Sequence, residues 1–104
     1  MANEGKLGLL LTTTPESENT HTVVKLAEAA LASGREVAIF LMCDGVYNMH
    51  DANFMSLLAK GAKIALCAYN AEQRHVAQQE GVLWGSQYDL AGIVEESDRF
   101  VAFN

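Results

Sequence analysis

Two kinds of apolar pattern alternate along the chain. Residues 6–12 (KLGLLLT), 36–42 (EVAIFLM) and 62–67 (AKIALC) are short continuous apolar runs, as expected of strands buried on both faces. Between them, apolar positions recur at helical spacing. Asn19 or Thr20 is placed to cap a first helix with Val23, Val24, Ala27, Ala30 and Leu31 on one side, stopped by Gly34. Asp51 or Asn53 caps a short second helix carrying Phe54, Leu57 and Leu58, with Lys60 in its last turn and Gly61 as its stop. Asn70, with Gln73 three residues on, has the form of a capping box and predicts a third helix through Gln79, ended by Gly81. Residues 82–84 read as a short fourth strand. Asp89 caps a last helix with Leu90, Ile93 and Val94 on one side, and residues 99–103 (RFVAF) form a closing strand.

The order β-α-β-α-β-α-β-α-β predicts an α/β fold: three layers, α/β/α, around an open, mainly parallel sheet of about five strands. In 104 residues a second core would leave each half marginal, so residues 1–104 are expected to form one domain. Ligands of such sheets gather at the carboxyl ends of the strands, which here are the loops at residues 12–19, 43–50, 67–70 and 84–89.

Composition removes several function classes. Half of the residues are hydrophobic and 19% are charged, a balance that buries a core and excludes a disordered chain. Seven Lys and Arg against thirteen Asp and Glu give a net charge of −6, which offers no attraction to nucleic acid or to an anionic membrane surface and suits a basic protein partner. The first apolar run is too short for a membrane span or a signal-peptide core, so a cytoplasmic chain is expected. Cys43 and Cys67 lie 24 positions apart with no CxxC, a spacing of neither a secreted disulfide framework nor a zinc finger.

The first loop is a poor phosphate cradle. It holds no glycine and no Walker lysine, and Glu16 and Glu18 would repel an anion. Cys67 ends the third strand shortly before a predicted helix, where a helix N-terminus and the cation of Arg74 favour a thiolate; a cysteine closing an apolar strand also often serves as a small buried hydrophobe. Cys43 stands among Asp44, Tyr47, Asn48 and His50. A mixed metal site of Cys43, Cys67, His50 and His75 lacks any pair at ligand-like spacing on one element, so no metal is expected. A Cys43–Cys67 redox pair stays open. Gly85-Ser86-Gln87 lacks the second glycine of a hydrolase nucleophile elbow, and Trp84 and Tyr88 beside it fit an interface or a lid.

Residues 67–74, Cys-Ala-Tyr-Asn-Ala-Glu-Gln-Arg, resemble a pattern of cysteine, small residues, alanine and then arginine that follows strand three in the DsrE/DsrF-like family, which includes the TusD-type subunits of sulfur-relay complexes. Asp44-Gly45-Val46-Tyr47-Asn48, Ser97-Asp98-Arg99-Phe100-Val101 and residues 27–34 extend the resemblance nearly end to end. It departs from the family in the first loop, where Glu16-Ser17-Glu18 replaces a frequent glycine, and at His75, where a glycine often follows the arginine.

The resemblance implies a small subunit assembling as a homo-oligomer, a trimer or hexamer, in which Cys67 carries a persulfide sulfur between donor and acceptor proteins. Such a transfer requires no metal or organic cofactor. Arg74 would stabilise the thiolate, and Asn70, Tyr47 and Asp44 are the further residues expected at the binding site. The competing expectation is a non-catalytic homo-oligomer that holds a small ligand or a metal in its crevice loops.

Overall fold

The structure, a computed structural model, describes residues 5–104; the first four residues of the expected domain lie outside the described ones. Five strands form one sheet: β1 Lys6–Leu11, β2 Glu36–Leu41, β3 Lys63–Cys67, β4 Val82–Gly85 and β5 Arg99–Phe103. Their order is β4-β3-β2-β1-β5, and every neighbouring pair is parallel. Four α-helices connect them: α1 Glu18–Ala32, α2 Ala52–Met55, α3 Ala68–Gln73 and α4 Gln87–Glu96. The α/β architecture and the parallel sheet expected from the apolar runs are both present.

Strand period sorts side chains onto two faces. On one face Leu9, Leu11, Val37, Ile39, Leu41, Ile64 and Leu66 form the main core with Val23, Val24 and Ala27 of α1, Phe54 of α2 and Ala71 of α3. On the other, Phe40, Ala65 and Cys67 form a smaller cluster covered by Leu90 and Ile93 of α4. The topology explains the asymmetry. From β1 to β4 the chain steps steadily across the sheet, so right-handed crossovers lay α1, α2 and α3 on one face. The return from β4 to β5 runs the opposite way and lays α4 on the other.

Several local expectations are corrected. The cap of α1 is Ser17, whose hydroxyl accepts from the Asn19 N–H at 3.0 Å, rather than Asn19 or Thr20. Residues 43–50, expected as a loop, form a 3-10 helix, Cys43–His50, which then hands over to α2 through Asp51; its carboxylate accepts from the Phe54 N–H at 2.9 Å. Helix α3 starts directly at Ala68 with Cys67 as its N-cap, and it ends at Gln73 rather than Gln79.

The early stop of α3 has a physical cause. The Val76 N–H reaches back to the Ala71 carbonyl at 2.9 Å, and His75 between them takes φ +57°. This is a Schellman closure, with buried Val76 and Ala71 as its hydrophobic contact. Histidine stands in a left-handed conformation that glycine adopts freely, at the position where the resemblance leads one to expect glycine. The cap of α4 is Ser86 rather than Asp89. Its hydroxyl accepts from the Tyr88 N–H at 3.2 Å, and the Asp89 carboxylate accepts from the Ser86 N–H at 2.8 Å, so the true capping box lies here and not at Asn70.

Candidate functional site

Adjacent strands β3 and β4 send their following helices to opposite faces, which opens the sheet at their carboxyl ends and defines the crevice where ligands of open α/β sheets bind. Cys67, the last residue of β3, is paired in register with Gly85, the last residue of β4. A groove of about 500 Å³ lies over this pair, lined among others by Met42, Cys43, Cys67, Asn70, Gly85 and Gln87.

Cys67 is 7% exposed and packs with Phe40 and Ala65, and its sulfur makes no capping hydrogen bond to α3. Gly85, its neighbour on β4, leaves room for the first turn of α4. A Cβ there would come within 2.5 Å of the Asp89 carboxylate that closes the capping box of α4.

The other thiol reaches the groove by a different route. Cys43 follows β2, is exposed, and adopts φ +54°, a left-handed conformation uncommon outside glycine. Its N–H donates to the Asn70 Oδ1 at 2.8 Å, which ties the start of the 3-10 helix to α3. A second tie joins the same elements: Arg74 Nε donates to Asp44 Oδ1 at 2.9 Å, and Arg74 Nη1 donates to the Asn70 carbonyl at 3.3 Å. The hydrogen bond to Asp44 holds the guanidinium above its ordinary value against a smaller opposing effect of desolvation, with Tyr47 and Cys43 adding in the same direction. Arg74 is thus a fixed cation beside Cys43.

The 3-10 helix is anchored from beneath by residues that sequence pattern did not mark as structural. Asn48 is fully buried; it accepts from the Thr20 hydroxyl at 2.6 Å and donates to the carbonyls of Thr13 and Gly45, each at 2.9 Å. Gly45 lies so close to β1 that a Cβ would overlap the Leu11 carbonyl oxygen. An amide inside an apolar stretch was the signal available for Asn48.

Of the four loops expected at the site, those after β2, β3 and β4 meet in the groove, while the loop after β1 supplies none of its lining. Among the expected residues, Cys67 and Asn70 line the groove, and Asp44 and Arg74 pair at its rim. Tyr47 packs against the main core with its ring 6.3 Å from that of His50. Trp84 also packs against the main core, whereas Tyr88 is exposed. Among the described residues, no three His, Cys, Asp or Glu side chains are placed to hold a metal ion, and no helix is long and apolar enough to cross a membrane.

These features define a small α/β protein with an all-parallel sheet and a thiol at its topological switch point. The sequence profile of the DsrE/DsrF-like family matches residues 5–103, and the chain belongs to that family. Membership supports a role of sulfur-relay type at the level of the family. Two archaeal relatives are similar over most of the chain. The uncharacterized protein MK0008 of Methanopyrus kandleri is 32% identical over 83% of this chain and 83% of its own, and the uncharacterized protein MJ0989 of Methanocaldococcus jannaschii is 30% identical over 94% and 99%. The fold is shared with the crystal structure of the ychN protein from E. coli, with TM-score 0.74 and 20% identity over 99% of this chain and 100% of that one. It is shared as well with BT1422 of Bacteroides thetaiotaomicron, a conserved protein of unknown function, with TM-score 0.76 and 17% identity over 94% of each chain.

Proposed function

We propose that the chain is a single-domain sulfur carrier, a sulfurtransferase-type subunit that takes a persulfide sulfur onto Cys67 and passes it on within a homo-oligomer. The observation that carries this reading is the place of Cys67: at the end of β3, at the switch point, beside Gly85 of β4 and lining an open groove. In the transfer, the Cys67 thiolate attacks the outer sulfur of a donor persulfide. One S–S bond forms at Cys67 as the donor's breaks, and the donor departs as a thiolate. The acceptor's thiolate then attacks the same outer sulfur and releases Cys67 unchanged. Neither step calls for a metal or an organic cofactor. Asn70 and the Arg74–Asp44 pair hold the rim in shape rather than touching the Cys67 sulfur, and Tyr47 supports the rim from the core.

Mass spectrometry tests the assignment. After incubation with a persulfide donor, Cys67 gains one sulfur, about 32 Da. Peptide mapping places the gain on Cys67 of the wild type, and a Cys67 peptide that gains no sulfur overturns the carrier role. Light scattering at micromolar concentration tests the assembly, for which a trimer or hexamer is expected and a monomer contradicts it.

A further inference from the structure

The chain holds two free thiols, and they differ in a way that a carrier can use: Cys67 is buried and Cys43 is exposed, yet both line one groove. Their separation is bounded by the sheet. Leu41 pairs with Leu66, so Met42 lies level with Cys67 and Cys43 follows one residue on. Continuing that register, with strands about 4.8 Å apart and successive Cα atoms about 3.8 Å apart, puts the two cysteine Cα atoms on the order of 9 Å from each other. A persulfide shortens the gap further, because its outer sulfur stands about 2 Å beyond the sulfur that carries it.

Cys43 is also held in place. Asn70 fixes its N–H, and its neighbour Asp44 is itself held by Arg74, so both sides of the residue are tied to α3. A partner's cysteine, borne on a protein surface, meets Cys43 first and Cys67 only at the floor of the groove.

We infer that Cys43 is the port of the carrier: sulfur arrives from a protein persulfide at Cys43, moves to Cys67 for keeping, and leaves by the same path. This rests on the carrier reading of Cys67. In the loading step the Cys43 thiolate attacks the outer sulfur of the donor persulfide and the donor leaves as a thiolate. In the internal step the Cys67 thiolate attacks the outer sulfur of Cys43–S–SH. The S–S bond at Cys43 breaks, one at Cys67 forms, and the proton on the moving sulfur travels with it or returns to Cys43. One S–S bond replaces another at each stage, so no oxidant or reductant is consumed. Release to an acceptor runs these steps in reverse order.

The test compares a small donor with a large one. Wild type, Cys43→Ser and Cys67→Ser are each incubated with inorganic polysulfide and, separately, with a persulfidated protein, and peptide mass spectra locate the added sulfur with time. Cys43 is exposed, so serine there leaves the fold intact, which circular dichroism checks. Polysulfide enters the groove and loads Cys67 equally in wild type and Cys43→Ser. From the protein persulfide, Cys43→Ser loads Cys67 at least about tenfold more slowly than wild type, and Cys67→Ser accumulates the sulfur on Cys43. Loading of Cys67 from the protein persulfide in Cys43→Ser within about twofold of wild type overturns the port while leaving the carrier standing. Failure of Cys67 to load from either donor in both wild type and Cys43→Ser overturns the carrier, and the port with it.

Discussion

Helices α1 and α4 lie on opposite faces of one sheet and are held by different means. Helix α1 buries Thr20, Val23, Val24, Ala27 and Ala30 against the main core, and the fully buried Asn48 hydrogen-bonds to Thr20. Helix α4 has no buried residue; Leu90 and Ile93 rest on Phe40, Ala65 and Cys67 while Tyr88 and Val94 face outward. Apolar burial is the main favourable term in folding, so the α1 face carries the stability and the α4 face is the lighter cover. The difference places the candidate carrier thiol under the thinner layer. Chemistry that needs a buried sulfur to be reached is better served there than under α1.

Substitutions on the two faces should therefore differ widely. Phe54→Ala empties a fully buried site on the α1 face and should cost about 3–5 kcal/mol in urea denaturation. Gly45→Ala drives a methyl against the Leu11 carbonyl, a backbone atom that cannot swing aside, and should cost about 3 kcal/mol by the same measurement. Asn48→Ala leaves the Thr20 hydroxyl and two carbonyls without their partner, for a loss of about 2 kcal/mol. On the α4 face, Leu83→Ala at a residue 53% exposed should stay within about 0.5 kcal/mol of wild type, and a loss as large as that of Phe54→Ala would break the comparison.

Hydrogen exchange sharpens the same contrast, since amides of α4 should exchange faster than those of α1. The smallest effect concerns charge. The hydrogen bond from Lys60 at 2.6 Å holds the Glu28 carboxyl below the usual carboxylate range. A depressed folded-state pKa stabilises above the unfolded value and is lost as pH falls through the folded one. The stability gap between wild type and Glu28→Gln should be small at neutral pH and should close on acidification.

The strands were legible because parallel strands buried on both faces must be apolar throughout, as in EVAIFL and KIALC. The caps were less so. Ser17, Asn19 and Thr20 are all competent N-caps, and only the turn closed by the Ser17 N–H on the Thr14 carbonyl selects among them. The end of α3 was hidden because His75 rather than glycine takes the left-handed position. The 3-10 helix had no periodicity to announce it; it is ordered by distant groups, Leu11, Thr20 and Asn70. At the site, the position of Cys67 could be read from the end of an apolar run. The left-handed turn at Cys43 and the ties from Asn70 and Arg74 depend on three elements meeting, which no local pattern encodes.

The pairing of β1 with β5 bears on how the chain comes together in time. Leu7 through Leu11 are matched to Arg99 through Phe103, and the Lys6 N–H is held by the Asp98 carboxylate at 2.7 Å across 92 positions of sequence. During synthesis β1 can gain β2 early, but its other side waits for the last strand to be made. Until then a leucine-rich strand has an open edge, ready to pair with another chain. Closure of this edge joins the most distant segments and is favoured last by loop entropy. The final strand therefore acts as a seal on the sheet, and a nascent chain halted before Arg99 is the form of this protein most exposed to aggregation.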